Sequence, residues 1–294
     1  MRLAVLADVH ANLPALEAIV ALLERERPDR WVVAGDLVGY GPHPDACVER
    51  IVALDPVCVA GNHDLIAIGR LSTDRCIPLA RESLEWTAAT ISAATRDALA
   101  ALPPLAEIGD VIVAHGSLDD PQEYVRTPEA ARAQLDLLSH RHPAARVLVI
   151  GHTHKAMAVG AGATAEAGAA GLGGAAAGDA AGPPRRDVAL AADDRHLLNP
   201  GSVGQSRSAE PKARALLLDL GVRRATFVEA EYDVEAVRAD LRRHGLDPLS
   251  SHMPPAPFPG AYRLRRIARR ALGRRPRAGS AAAPRDAGRD DAQA

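Results

Sequence analysis

Short apolar runs of β-strand type alternate with amphipathic helical segments over the first two thirds of the chain. The run LAVLA is followed by the segment Pro14–Glu26, in which Leu16, Ile19, Val20 and Leu23 fall on one helical face. Strands that alternate with helices are usually joined by βαβ-type connections. The pattern therefore predicts an α/β fold in which helices cover the faces of a sheet.

Later segments continue this alternation and then change it. Further helices are predicted at residues 44–54, 77–102, 128–139 and 234–244. The second of these is expected to be one long helical region that Pro103 and Pro104 end. Strand-like runs follow at residues 188–192, 196–199, 213–220 and 225–230. The connections between the last strands are short, which favours antiparallel pairing and a sheet that is mixed or divided in two.

Two segments lack both periodicities. Residues 156–184 are mostly Ala and Gly, which predicts a flexible low-complexity insertion between two strands. Residues 246–294 are rich in Pro, Arg, Ala and Gly, and we expect a basic, disordered tail there. The domain prediction is therefore one folded domain over residues 1–245, interrupted by the insertion and followed by the tail.

Side chains that bind metals end five segments of the chain, and four of these segments are apolar runs of strand type. The candidates are Asp8 and His10, then Asp36, then Asn62, His63 and Asp64, then His115, and finally His152 and His154. Ligands of α/β sheets gather beyond the carboxyl ends of the strands, where all five clusters are predicted to lie. Residues two apart in a strand point to the same side, so Asp8 and His10 are expected to reach one ion.

Carboxylate, carboxamide and imidazole ligands together suit Mn²⁺, Fe or Zn²⁺ and do not suit a sulfur-bound metal. Two such ions about 3.5–4 Å apart can hold the attacking and departing oxygens of a phosphoryl transfer and lower the pKa of a bound water. Each motif alone is weak, because Asp is common in turns and a single His is more often structural. Five motifs in one order, each at a predicted strand end, indicate a metal site.

The bulk composition limits the class of protein. Apolar residues make up 47% of the 294 residues, and the formal net charge of −2 predicts no global attraction to nucleic acid or membranes. Three cysteines without CxxC spacing fit a reducing compartment better than a disulfide framework or a thiolate zinc site. No signal peptide or membrane-spanning apolar stretch is visible, so we expect a cytoplasmic location.

The order of the motifs resembles that of the calcineurin-like metallophosphoesterase superfamily, whose signature is DxH, GD, GNH[DE], a single His and GHxH. Every element of that signature is present. The resemblance covers roughly residues 1–245 and is closest to a small bacterial and archaeal phosphodiesterase-like branch, through DVHANLPALEA, GDLVGYGPHP, GNHD, GHTH and NPGSVGQ. It implies an α/β (α+β) fold, a four-layer α/β/β/α sandwich with mixed sheets, and two divalent ions (Mn, Fe, Zn or Ni).

The resemblance also implies a role for each motif residue. Asp8, His10 and His154 would bind the first ion. Asn62, His115 and His152 would bind the second, and Asp36 would bridge the two. Hydroxide held between the ions would attack phosphorus. His63 would act on the leaving group as general acid, with Asp64 orienting it and keeping it protonated.

One loop departs from the relatives. Protein phosphatases and dinucleoside tetraphosphatases of the superfamily carry an Arg shortly after the GD motif, which clamps phosphate. Here the loop reads GDLVGYGP and has no Arg, so a phosphodiesterase is favoured over a protein phosphatase. Tyr40 and His43 could line the substrate pocket, with an ordinary loop role as the equal alternative. The turn from Asn199 to Gln205 is expected to support the GHTH loop.

The basic tail offers a possible second contact. Residues 261–277 carry eight arginines and no acid, and their apolar residues have helical spacing. Such a helix could contact a membrane surface or nucleic acid. A solvated tail is favoured instead, because half of its apolar face is alanine and would bind weakly.

Three functions remain open at this point. The leading hypothesis is a dinuclear-metal phosphodiesterase that acts on a small phosphodiester or nucleotide-like substrate. The second is hydrolysis of phosphomonoesters or dinucleotide polyphosphates. The third, a non-catalytic scaffold of the same fold, is disfavoured because His63 and every metal-binding residue of the signature are present.

Overall fold

The computed structural model describes residues 1–162 and 185–255, and its strands form two sheets. The first sheet has six strands in the order β3-β2-β1-β10-β11-β8, and the second has five in the order β4-β5-β6-β9-β7. The strands are β1 (Arg2–Leu6), β2 (Arg30–Val33), β3 (Val57–Cys58), β4 (Ala106–Ile108), β5 (Val111–Val113), β6 (Val147–Val149), β7 (Met157–Gly160), β8 (Arg185–Ala189), β9 (His196–Asn199), β10 (Ala213–Asp219) and β11 (Arg224–Ala230). Both sheets are mixed. In the first, β1, β2 and β3 are parallel, and in the second, β5, β6 and β9 are parallel.

Helices flank the sheets. They are α1 (Leu13–Glu24), α2 (Pro44–Val52), α3 (Asn62–Ala67), α4 (Pro78–Thr90), α5 (Ala93–Ala100), α6 (Pro128–Arg141) and α7 (Val234–Arg243). Side chains cap several of the amino ends. Asn12 accepts a hydrogen bond from the backbone of α1 and Thr127 from that of α6, which satisfies amides that lack a partner within the helix.

Strand alternation divides the core into three apolar layers. In β1, Ala4 and Leu6 face the helices α1 and α2, whereas Leu3 and Val5 face the second sheet. In the second sheet, the strands β5 and β6 likewise direct alternate residues towards the first sheet and towards α6. Because each sheet is buried on both faces, the result is a helix–sheet–sheet–helix sandwich, and the predicted fold class is confirmed.

The predicted long helix at residues 77–102 is wrong, because the chain breaks between α4 and α5. Ile91 is buried in an extended conformation. Ser92 caps α5 by accepting a hydrogen bond from Thr95 N, and its own N–H donates to Asp45 at 3.0 Å. A cap and a tertiary contact thus stop one helix and start the next.

The two segments without periodicity, predicted as an insertion at residues 156–184 and a tail at residues 246–294, lie partly within the described residues. Residues 157–160, within the predicted insertion, form the edge strand β7, and residues 163–184 lie outside the described part. Residues 246–255, within the predicted tail, include a 3-10 turn at Pro248–Ser251 and a bridge between Ser206 and His252. The predicted basic helix at residues 261–277 lies outside the described residues. Within residues 1–162 and 185–255, every helix is too short or too polar to cross a bilayer.

Candidate metal centre

Loops that follow parallel strands of both sheets bring the five predicted clusters together at one rim of the sandwich. His152 N donates a hydrogen bond to Asp8 Oδ1 at 3.0 Å, and His115 Nδ1 lies 2.7 Å from the carbonyl oxygen of Ala34. These contacts join the second sheet to the first. The seven predicted metal ligands are all buried and no more than 5% exposed: Asp8, His10, Asp36, Asn62, His115, His152 and His154.

The backbone at the site has an uncommon conformation. Five of the predicted ligand residues have a φ angle between 48° and 63°: Asp8, His10, Asp36, His152 and His154. The left-handed region costs a residue with a Cβ atom roughly 1–2 kcal/mol. Strain of this kind concentrates at functional sites, because it turns the chain sharply and fixes the direction of a side chain.

Asp8, His10 and His154 form the first group of candidate ligands, with ligand atoms within 4.8 Å of one another. His10 Nδ1 lies 3.1 Å from Val38 O, and His154 Nδ1 lies 2.7 Å from a second carbonyl oxygen. Each Nδ1–H therefore donates to the backbone, which leaves the two Nε2 lone pairs facing each other at 3.0 Å. Burial lowers the pKa of both rings well below the usual value. A cation between the two rings would relieve their repulsion.

Asp36, His115 and His152 form the second group, again within 4.8 Å. His115 Nδ1 faces a backbone oxygen, which turns its Nε2 towards two other acceptors. That Nε2 lies 3.2 Å from Asp36 Oδ2 and 3.1 Å from Asn62 Oδ1. Although burial opposes the shift, Asp36 raises the pKa of His115 to about 9. The arrangement thus attracts positive charge to the point where a carboxylate, a carboxamide and an imidazole converge.

Unpartnered acceptors show that these residues fit divalent cations. Asp8 Oδ2, Asp36 Oδ2 and His152 Nε2 are buried without a hydrogen-bond partner, and each such group costs about 1–3 kcal/mol when uncompensated. Asp36 joins the two groups, because its Oδ2 lies 3.2 Å from His115 Nε2 and 3.7 Å from His10 Nε2. A carboxylate with this position can be shared between two ions.

His63 and Tyr40 lie against the metal cluster. The ring centroid of His63 is 4.7 Å from that of His10 and 4.8 Å from that of Tyr40, and His63 N donates to Asp36 Oδ1 at 2.8 Å. His10, Asp36 and His63 form a third group that could hold a metal. Burial lowers the pKa of His63 to about 4. Gly39 has a φ of +84°, and a Cβ atom there would lie 2.3 Å from His63 Nδ1, so the loop after β2 requires glycine to admit this ring.

The predicted pairing of Asp64 with His63 is not what the structure shows. Asp64 Oδ2 accepts hydrogen bonds from the N–H groups of Asp36 and Gly61, both at 2.9 Å. Its Oδ1 accepts from Leu37 at 2.8 Å and from Val38 at 3.2 Å. His63 Nδ1 has no hydrogen-bond partner. Asp64 therefore fixes the loop that carries Asp36, because backbone amides occupy both of its oxygens.

The turn from Asn199 to Gln205 supports the metal cluster, as the sequence predicted. Asn199 Nδ2 donates to Gly151 O at 2.6 Å and to Thr153 Oγ1 at 3.1 Å, which holds the GHTH loop. Ser202 Oγ donates to the carbonyl oxygen of Asp8 at 3.0 Å. The carbonyl oxygen of Gln205 is the group that accepts the hydrogen bond from His154. One turn therefore positions ligands from both sheets.

His43, directly before α2, contacts α7, because its Nε2 lies 2.9 Å from Asp240 Oδ2. Its place in a substrate pocket stays a prediction. Sequence reasoning also missed two residues that do lie at the site. The ring of Tyr124 lies 4.0 Å from that of His152, and Arg207 hydrogen-bonds to Tyr124. Both are on loops without a motif, and in an Arg-rich chain a single loop arginine carries no distinguishing signal.

The fold and the site together define a two-sheet α/β protein with a buried carboxylate and histidine cluster suited to metal ions. Consistent with this class, the family model for calcineurin-like phosphoesterases matches residues 1–175. The chain belongs to the calcineurin-like phosphoesterase family, whose members are metal-dependent phosphoric ester hydrolases.

One solved structure agrees with this membership, and two further proteins are similar to this chain. A metallophosphoesterase from Sphaerobacter thermophilus is 33% identical, with a TM-score of 0.68 over 85% of this chain and 96% of its own. The hypothetical protein PH1004 from Pyrococcus horikoshii, at 18% identity and a TM-score of 0.65, shares the fold over 86% of this chain and 98% of its own. The uncharacterized protein MJ0912 from Methanocaldococcus jannaschii is 28% identical over 239 residues, which are 79% of this chain and 88% of the relative.

Proposed function

We propose that this protein is a phosphodiesterase that depends on two divalent metal ions. The observation that carries the proposal is the pair of ligand groups that meet at Asp36, each with a buried acceptor that lacks a hydrogen-bond partner. Asp8, His10 and His154 would hold one ion, and Asn62, His115 and His152 the other, with Asp36 between them. When bound, the ions would supply Lewis acidity at phosphorus and lower the pKa of a water molecule.

The remaining residues of the site orient these ligands and the substrate. The carbonyl oxygens of Val38, Ala34 and Gln205 fix the tautomers of the three histidines that donate to them, so that Nε2 faces the cluster. His63 lies beside His10 with its Nδ1 free of partners, in reach of a phosphate held at the cluster. Because burial lowers the pKa of His63 and leaves the ring neutral, we propose that it donates an N–H hydrogen bond that stabilises the charge developing on the departing oxygen.

The loop after Asp36 supports a diester substrate. It places a neutral residue, Tyr40, beside His63, and burial raises the pKa of Tyr40 to about 12, so that the phenol keeps its proton. A phosphodiester carries one negative charge and a phosphomonoester up to two. The GDLVGYGP loop itself therefore adds no positive charge that would match the second negative charge of a monoester.

A second candidate is hydrolysis of phosphomonoesters or dinucleotide polyphosphates. The observation that favours it is Arg207, which brings a guanidinium to the site from another loop. The two candidates differ in the ratio of kcat/KM for a diester to that for a monoester with the same aryl leaving group.

The test is hydrolysis of an aryl phosphodiester and of the matched monoester by protein reconstituted with Mn²⁺, Fe²⁺, Ni²⁺ or Zn²⁺. We expect metal-dependent activity with a higher kcat/KM for the diester. Asp36→Ala and His115→Ala should lower the activity by several orders of magnitude, because each removes part of the metal cage. His140→Ala is the matched control, since His140 lies exposed on α6. Activity of Asp36→Ala equal to that of the control would overturn the proposal.

A further inference from the structure

Arg207 lies in the loop between β9 and β10, two residues after a point that is fixed to the metal cluster. His154 Nδ1 donates to the carbonyl oxygen of Gln205 at 2.7 Å, so the backbone that leads to Arg207 is attached to a candidate metal ligand. Gly204 N also donates to the carbonyl oxygen of Asp8, at 2.9 Å. The backbone that leads to Arg207 is therefore held next to the candidate ligands.

The guanidinium of Arg207 has neutral partners. Its Nε donates to Gln205 Oε1 at 3.4 Å, and the side chain hydrogen-bonds to Tyr124. Among the described residues it forms no ion pair with a carboxylate, although the side chain is partly buried. Withdrawing a cation from water without a counter-charge is unfavourable. An anion that enters the site would supply that counter-charge.

Arg207 lies beside residues of both candidate ligand groups. Its Nε contacts the side chain of Gln205, whose carbonyl oxygen accepts the hydrogen bond from His154. Tyr124, to which Arg207 hydrogen-bonds, has its ring 4.0 Å from that of His152. The guanidinium therefore lies at the cluster and close enough to Tyr40 for its charge to act on that phenol.

We propose that Arg207 binds a nonbridging oxygen of the substrate phosphate, with Tyr124 and Gln205 as positioning residues. This assignment deepens the proposed function and rests on it. The planar fork of a guanidinium can donate two parallel hydrogen bonds to a phosphate. Arg207 would thus supply from the β9–β10 loop the cationic contact that the GDLVGYGP loop lacks.

The contact belongs to the substrate and not to the metal ions, which makes it separable from the metal cage. A guanidinium has no lone pair available for a metal, so its removal leaves all seven candidate ligands in place. The loss should appear in the affinity for phosphate and in KM. It should also appear in kcat to the extent that the hydrogen bonds strengthen as charge develops on the phosphate oxygens.

The experiment compares Arg207→Gln, Arg207→Lys and Arg224→Gln with the wild type, all loaded with Mn²⁺. Arg224 pairs in register with Asp219 of β10, and Asp219 pairs with Arg2, the first residue of β1. Asp8 follows the other end of β1, so Arg224 is a matched control at the end of the sheet opposite to the site. Calorimetric titration with inorganic phosphate measures affinity directly, and hydrolysis of the aryl phosphodiester gives KM and kcat. Metal content is measured for each protein.

We expect Arg207→Gln to bind phosphate about 10- to 100-fold more weakly than the wild type, with unchanged metal content and a raised KM. Arg207→Lys should recover part of the affinity, and Arg224→Gln should match the wild type. Equal phosphate affinity in Arg207→Gln and Arg224→Gln would overturn the assignment, and so would a loaded wild type that binds no phosphate. If Arg207→Gln loses metal, the phosphate affinity of Arg207→Lys decides the question. Wild-type phosphate affinity in Arg207→Lys would contradict the requirement for the planar fork of a guanidinium. A wild type that binds phosphate through Arg207 but hydrolyses no ester would refute the proposed function alone.

Discussion

At the scale of single residues, the hydrogen bonds of each carboxylate show whether it has an oxygen free for a metal ion or serves only to hold the backbone. Asp8 Oδ1 accepts a hydrogen bond from His152 N, and Asp36 Oδ1 accepts one from His63 N, while Oδ2 of each has no partner. Both oxygens of Asp64 are occupied by backbone amides. Two of the three buried carboxylates at the site therefore keep one oxygen for a cation, and the third keeps none.

This difference predicts the effect of Asp64→Asn. An amide offers one acceptor oxygen where the carboxylate offers two, so two of the four backbone N–H groups would lose their acceptor. We expect the free energy of unfolding to fall by about 3 kcal/mol or more, measured by guanidinium denaturation of the metal-free protein. Asp97→Asn, at an exposed position on α5, is the control. An unchanged stability together with a shifted pH profile of activity would instead support the pairing of Asp64 with His63.

At the scale of elements, strand ends were the most predictable part of the site. Four of the five motifs follow an apolar run of strand type, and parallel strands bring their carboxyl ends to a common rim whatever the details of the loops. The break between α4 and α5 was not anticipated, because it depends on the contact of Ser92 with Asp45, 47 residues away in the chain. The position of Arg207 depends in the same way on a loop anchored to His154, which no local pattern encodes.

The end of α1 provides a test at the same scale. Arg27 is exposed and has a φ of +50°, a conformation that glycine adopts without a steric penalty. Arg27→Gly should therefore stabilise the protein by up to about 1 kcal/mol, seen as a raised midpoint of thermal unfolding. Arg25→Gly is the matched control, since Arg25 has a φ of −66° and glycine there should be destabilising. A lower midpoint for Arg27→Gly than for the wild type would contradict this account.

At the scale of the whole molecule, the candidate metal ligands connect the two sheets. The first sheet contributes Asp8, His10 and Asp36, and the second contributes His115 and His152, so bound ions would link the halves of the sandwich. The alternation of apolar residues was sufficient to predict the layers, because each buried strand divides its side chains between two faces. It could not predict which loops would supply Tyr124 and Arg207, since neither belongs to a periodic segment.

We expect metal binding to raise the stability of the whole domain. A ligand at 100 times its Kd stabilises the folded state by about 2.7 kcal/mol. For a domain of this size, that corresponds to a rise of roughly 5–10 °C in the unfolding midpoint. Calorimetry with excess Mn²⁺ and with a chelator measures the difference. The Asp36→Ala protein should show a much smaller difference between the two midpoints. If the wild type binds Mn²⁺ and yet unfolds at the same midpoint with Mn²⁺ and with the chelator, this contradicts ions shared between the sheets.

The left-handed backbone at the candidate ligands has a consequence for how the protein tolerates change. Asp8, Asp36 and His152 occupy conformations in which glycine would fold with less strain, so replacing a ligand can make the metal-free chain easier to fold while it abolishes the site. Stability alone would therefore favour an inactive sequence. Asp and His at these positions therefore carry a cost in backbone strain that only the use of their side chains can offset.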